Sequence, residues 1–209
     1  MEKINRRHLE FLVLLCMICS TAFTQAKSGL QNYTLLSQEK EYLWMPVFHY
    51  QARNGVYAEL RYNYEDVQTL SFYGGKTFSG GKTLQFSLTP MLGYSTGRFT
   101  GVSLATNVEV EWKNFYLSSQ TQYSMATKQN SADFFFSWSE LGYDISDNFF
   151  AGVAIQYTRQ QEMNDTEPGV MAGLNFKNIS IPFYVFGPFK SGRYFVLGLN
   201  YECDFKKKR

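Results

Sequence analysis

Residues Val102–Tyr123 read VSLATNVEVEWKNFYLSSQTQY. The first half alternates with a period of two, the mark of a strand with two unlike faces. Val102, Leu104, Val108, Val110 and Trp112 share one face, on which Thr106 is the exception, while Ser103, Ala105, Asn107, Glu109 and Glu111 share the other. Lys113-Asn114 supplies a two-residue turn. Closing a hairpin there pairs Trp112 with Phe115, Val110 with Leu117 and Leu104 with Tyr123. It also sets Glu111 against Tyr116, Glu109 against Ser118 and Asn107 against Gln120. A slip of one residue scrambles every pair, so the pattern fixes its own register.

A second hairpin lies in Phe48–Tyr64, FHYQARNGVYAELRYNY. A two-residue Asn54-Gly55 loop would mix its faces. A three-residue Arg53-Asn54-Gly55 loop, with Gly55 in the left-handed conformation, pairs Tyr50 with Ala58 and Phe48 with Leu60. The other face then sets Gln51 against Tyr57, His49 against Glu59 and Val47 against Arg61.

Strand-like runs continue to Phe205, with no segment of helical period. Tight turns are expected at Asn54-Gly55, Ser79-Gly80-Gly81, Lys113-Asn114, Ser146-Asp147-Asn148 and Lys177-Asn178. Longer polar connections are expected at 94–100, 126–133, 160–169 and 187–193, with a shorter one at Glu65-Asp66. Short and long connections alternate strictly, as in a transmembrane β-barrel. Eleven strands follow from Leu43 onward, and antiparallel closure demands one more, for which Leu30–Leu36 is the candidate. The expectation is an all-β, transmembrane, antiparallel up-and-down barrel of twelve strands. Ten is the alternative if two runs merge or the N-terminal segment lies in the lumen. Gly74-Gly75 is expected to mark a bulge.

Alternation alone also fits a soluble, secreted lipocalin-like binding protein with its apolar face inward. Three features favour the inverted arrangement. The strands match a tilted membrane crossing of about 9–11 residues. Their apolar faces are nearly free of charge. Aromatics gather at strand ends, with Trp112, Phe115, Phe149 and Phe205 on the turn side and Tyr64, Tyr123 and Phe134 on the loop side, as interfacial girdles do. Aromatic and charged residues each make up 18% of the chain, an aromatic-rich and charge-poor balance for a water-soluble domain.

Lys3, Arg6 and Arg7 precede the apolar run FLVLLCMIC (11–19), and small residues follow, so residues 1–26 are expected to be a signal peptide and 27–209 the barrel. Cleavage after Ala26 fits best, with Ala22 as the second choice. The remaining chain is nearly neutral and carries no basic stripe, which excludes nucleic acid as a partner. It keeps a single cysteine, Cys203, so no internal disulfide is expected.

The signal segment, the runs RYNYED (61–66) and LGYDISDNFFAGVAIQY (141–157), and the final strand RYFVLGLNYECDF (193–205) resemble the small bacterial outer-membrane β-barrel proteins, an uncharacterised porin-like class of Gram-negative cells. The resemblance implies the outer membrane as location. It also implies an outer-membrane assembly machinery that reads a terminal strand whose outward face here carries Tyr201, Cys203 and Phe205. The four-residue basic tail beyond Phe205 departs from that pattern.

Catalytic chemistry finds little support. Beyond the signal segment the only histidine is His49, on an inward position beside Glu59, with Ser118 or Ser180 as speculative partners. A barrel hydrolase built on His49 is the alternative to a non-enzymatic barrel. No cofactor or metal is expected; Asn164-Asp165-Thr166-Glu167 in the 160–169 connection offers only a loose Ca²⁺ ligand set. The inward candidates are His49, Glu59, Arg61, Asn107, Glu109, Glu111 and Gln120. With Glu202 and Asp204 they make an acidic interior, which points to a structural or narrow-pore role that prefers cations. Arg98, Lys128, Arg159, Lys190 and Arg193 at the loop rim suit lipid headgroups or lipopolysaccharide phosphates.

Overall fold

A computed structural model of the chain describes residues 26–37, 42–128 and 131–205. The expected signal segment lies outside these residues except for Ala26, as does the tail from Lys206 to Arg209. The chain forms one antiparallel sheet. Its strands are β1 (Ala26–Ser37), β2 (Leu43–Gln51), β3 (Val56–Tyr62), β4 (Thr69–Lys76), β5 (Phe78–Gly80), β6 (Leu84–Gly97) and β7 (Gly101–Trp112). They continue with β8 (Phe115–Ala126), β9 (Phe134–Ser146), β10 (Phe149–Gln160), β11 (Met163–Phe176), β12 (Ile179–Phe186) and β13 (Tyr194–Phe205). Among the described residues no helix is long and apolar enough to cross a membrane.

β4 and β5 are two pieces of one stave. Both pair with β6 in a single register, Gly75 opposite Met91 and Phe78 opposite Leu88. The break falls opposite Pro90, which has no N–H to give the ladder. The thirteen strands therefore make twelve staves, and the pairing of β1 with β13 closes the ring. β1 is the twelfth stave expected at Leu30–Leu36, extended by several residues at its N-terminal end.

Both hairpin registers follow the sequence pattern. β7 and β8 pair Trp112 with Phe115, Val110 with Leu117 and Asn107 with Gln120, across a turn in which Lys113 has φ 55°. β2 and β3 pair Phe48 with Leu60 and His49 with Glu59, and Gly55 turns the loop at φ 82°. Gly74-Gly75 is not a bulge. The ladder runs through it in constant register on both sides, and the register shift lies instead between Phe149 and Phe150.

The connections differ from the expected strict alternation. The 160–169 run is strand: β10 and β11 stay paired as far as Gln160 and Met163, leaving Gln161-Glu162 as the turn. This extension rises beyond the last β12 partner, Gly169 opposite Phe186. There the inward contacts are polar, Glu167 accepting from the Tyr194 hydroxyl of β13, so apolar alternation is not required and the polar run looks like a loop. Asn164–Glu167 is therefore extended backbone with side chains on alternate faces, which removes the loop geometry a Ca²⁺ site needs. β6 likewise continues to Gly97, so only residues 98–100 connect it to β7.

The apolar face points outward. Leu92, Leu104, Val153 and Leu199 are more than half exposed, the inverse of a lipocalin-like barrel and the arrangement of one surrounded by lipid. Trp112 and Phe115 stack at the turn end, 6.3 Å between centroids, and Trp44, Tyr94 and Tyr123 stand exposed toward the loop end. Two expected girdle residues are elsewhere. Phe134 is buried against Phe99 at 5.2 Å, and the Tyr64 ring packs inside against Phe136 at 5.9 Å. Two pairs of hydroxyls on the outer face satisfy each other, Ser119 with Ser139 at 2.8 Å and Thr121 with Ser137 at 3.0 Å, as lipid favours.

Candidate functional site: the barrel interior

The interior has two unlike halves. Toward the outer connections the inward side chains are packed: Ser71, Ser95, Ser103, Ser124, Phe186 and Val196 are all buried. Toward the tight turns Lys27, Glu109, Glu111, Glu202 and Asp204 are exposed although they also point inward. The interior is narrowed at mid-height by a stopper of packed side chains and is open at the turn end.

Arg61 is the centre of the stopper. Glu59 and Arg61 stand two apart on β3 and so share its inward face. Glu65 comes from the connection between β3 and β4, which folds back into the barrel. Asn63 organises that fold at φ 58°; its Nδ2 donates to the Trp44 carbonyl at 3.0 Å, and its Oδ1 accepts from the Gln68 N–H at 2.7 Å. The guanidinium donates Nε to Glu59, and its Nη1 donates to Gln122 on β8 at 2.7 Å and to Glu65 at 3.4 Å. It lies 4.6 Å from the Tyr64 ring centroid and 4.2 Å from that of Tyr73. Tyr73 donates to Glu65 at 2.8 Å, and Tyr64 reaches Gln120 at 2.6 Å. One cation thus ties β3, the inward connection and the wall at β8 together, and two carboxylates leave the group net negative.

A second, aromatic stopper fills the sector of β9 to β13 and β1. Trp138 packs edge-on against Tyr184 at 5.1 Å and Phe186 at 5.2 Å, and lies 5.7 Å from Tyr33. Tyr64 against Phe136 joins the two stoppers.

His49 does not use the Glu59 that its register sets beside it. Its Nε2 pairs with Glu202 of β13 at 2.9 Å, across the intervening β1. Gly29 makes the reach possible, because a Cβ there would lie 2.3 Å from the His49 ring and 2.5 Å from the Glu202 carboxylate. Glu59 is taken instead by Arg61 and by Tyr57, whose hydroxyl donates at 2.5 Å. No serine contacts the His49 ring among the bonds of the described residues, and no group of three or more His, Cys, Asp or Glu is arranged to hold a metal among them.

Below the stoppers lie two adjoining cavities, each of about 390 Å³. They share Glu109, Glu111, Tyr116, Ser118 and Gln120. His49, Glu59 and Asn107 line one of them, and Tyr33, Trp138, Glu140 and Phe150 line the other. All seven candidates from the sequence thus point inward, with Arg61 above the cavities. Three important residues are missing from that set. Glu65 and Tyr64 sit in a connection, where nothing in the sequence signals an inward fold. Glu140 lies on the inward face of β9, in step with Trp138 and Asp144, and period-two counting along that strand would have found it.

No protein-family model matches the sequence, and no curated protein matches it. Solved structures match over most of the chain. The KdgM porin superposes with a TM-score of 0.61 at 10% identity, covering 85% of this chain and 99% of that one. The same porin in complex with disordered oligogalacturonate gives 0.63 at 10% identity with the same coverage. The NanC porin gives 0.54 at 8% identity, covering 85% of this chain and all of that one. What is shared at such identities is the fold: this chain is a closed antiparallel β-barrel built like those small porins.

Proposed function

We propose that the protein is a narrow pore of the bacterial outer membrane that passes small solutes without catalysis and prefers cations. The observation that carries this reading is the sign of the charge at the open end. Glu109, Glu111, Glu202 and Asp204 face the lumen there, Lys27 is the one lysine among the residues lining that cavity, and His49 is already held by Glu202. Carboxylates around a low-dielectric wall concentrate cations and repel anions. The constriction above keeps that sign, since Arg61 is outnumbered by Glu59 and Glu65. An anionic sugar such as oligogalacturonate is a poor match for this interior. A hydrolase built on His49 would need a nucleophile at its ring, and no serine bonds it among the described residues.

In this reading the tight turns face the periplasm and the longer hairpins face outward. Outer-membrane lipid covers the apolar exterior, Lys128, Arg159, Lys190 and Arg193 meet lipopolysaccharide phosphates, and the assembly machinery inserts the chain. Single-channel recording in planar bilayers under a potassium chloride gradient tests the pore: small cation-selective steps are expected. Silence, or a reversal potential of anion sign, would sink the reading.

A further inference from the structure

Glu140 is a carboxylate with an unspent oxygen. Trp138 Nε1 donates to its Oε1 at 2.7 Å and the Tyr184 hydroxyl donates to the same oxygen at 2.8 Å. Among the bonds of the described residues none reaches Oε2, and none of their basic side chains forms an ion pair with Glu140; the ion pairs present are His49–Glu202, Arg61–Glu59, Arg61–Glu65 and Arg98–Asp66. Lys113, the one basic residue lining the same cavity, rests its ammonium 5.0 Å from the Trp112 ring on the outside. Glu140 is half-buried at the cavity wall, and a carboxylate so placed without a counter-ion gains from a cation that joins it.

The walls around it are built for an organic cation. Tyr116 lies flat across Gly142, where a Cβ would fall 2.2 Å from its ring, and Phe150 lies across Gly173 in the same way at 2.2 Å. The two rings meet edge to face at 5.9 Å and both line the cavity. Tyr33 and Trp138 form a third side. Aromatic faces attract alkylammonium groups. Asn200 also lines this cavity, and its Oδ1 is buried without a hydrogen-bond partner, so an acceptor besides Glu140 Oε2 awaits an N–H.

We propose that this chamber binds a small organic ammonium ion, its N–H donors on Glu140 and Asn200 and its apolar stem against Tyr116, Phe150 and Trp138. The proposal narrows the cation-preferring pore to a solute class, and it rests on that reading only for the route by which the ion arrives. A metal cation would lack the ligand set, and an anion would meet Glu109 and Glu111 at the entrance.

The test is calorimetric titration of the purified barrel in detergent micelles with n-butylammonium chloride, compared with potassium chloride and with n-butanol. Saturable binding of n-butylammonium alone is expected. Glu140→Gln should weaken it about tenfold to a hundredfold, the range for losing a charge-assisted hydrogen bond. Glu140→Asp should retain part of it, and Glu162→Gln at the remote β10–β11 turn should leave it unchanged. Tyr116→Leu, which keeps the carboxylate, should also weaken it and serves if Glu140→Gln does not assemble. Binding of n-butanol as strong as that of n-butylammonium, or wild-type affinity in Glu140→Gln, would overturn the proposal. Because no current is measured, a conducting barrel that ignores n-butylammonium refutes the chamber alone, and binding without conductance refutes the pore alone.

Discussion

Replacing Arg61 with alanine removes the group on which the stopper is organised. Arg61 is 2% exposed, and its partners Glu59 and Glu65 have side chains 3% and 0% exposed. Breaking a buried pair and leaving the other charge behind costs about 3–5 kcal/mol. Here two carboxylates are left, and two cation–π contacts of about 1–2 kcal/mol each go with them. Relaxation and water entry at the vacated site recover part of this, so Arg61→Ala should destabilise by about 3–5 kcal/mol. Denaturant unfolding in lipid vesicles, followed by tryptophan fluorescence, reads that loss. Removing all three charges together, Glu59→Gln with Arg61→Met and Glu65→Gln, should restore most of it, because replacing a whole buried ion group by neutral residues is often close to neutral. The same Arg61→Ala barrel should conduct more in planar bilayers, since the inward connection loses its tie to Gln122. A variant within about 1 kcal/mol of wild type, with unchanged conductance, would show that Arg61 does not set the width of the constriction.

Other substitutions probe the remaining features. Glu109→Gln with Glu111→Gln should move the reversal potential under a salt gradient toward zero, while stability stays near wild type because both side chains are exposed. Leu92→Arg on the outer face should destabilise by about 2–4 kcal/mol near the bilayer midplane, whereas Ser118→Arg, which points into the open cavities, should be tolerated; equal effects would mean that the faces are misassigned. Gly142→Val places a side chain 2.2 Å from the Tyr116 ring and should cost about 1–3 kcal/mol by overpacking in the same unfolding assay.

The parts of the fold that could be read from the sequence were those where one face must be dry and a turn fixes the offset. The Val102–Tyr123 and Phe48–Tyr64 hairpins met both conditions, and their registers follow. The β10–β11 extension met neither: beyond its last β12 partner no face need be apolar, and Pro168 with its polar neighbours mimics a connection. The interior was legible only by direction. Period two says that His49 and Glu202 both point inward, but whether they touch depends on Gly29 of the strand between them, a three-strand relation that pairwise register does not contain. Tyr64 and Glu65 were harder still. Their inward fold depends on positive φ at Asn63 and Gln68, residues that look like any other polar turn.

The seam between β1 and β13 has a bearing on how the molecule is made. It is a full ladder, from Ala26 opposite Phe205 to Ser37 opposite Tyr194, and it joins the earliest strand of the sheet to the latest. The other strand pairings among the described residues join staves that follow one another in sequence and need only short loops to close. This one ties up almost the entire described chain, with the largest loop-closure entropy in the molecule. Until it forms, β1 and β13 each present an unpaired edge, which lipid tolerates least of all. Closure is therefore the slow and committing event of folding, and shortening β13 should leave a long-lived open sheet rather than a smaller barrel.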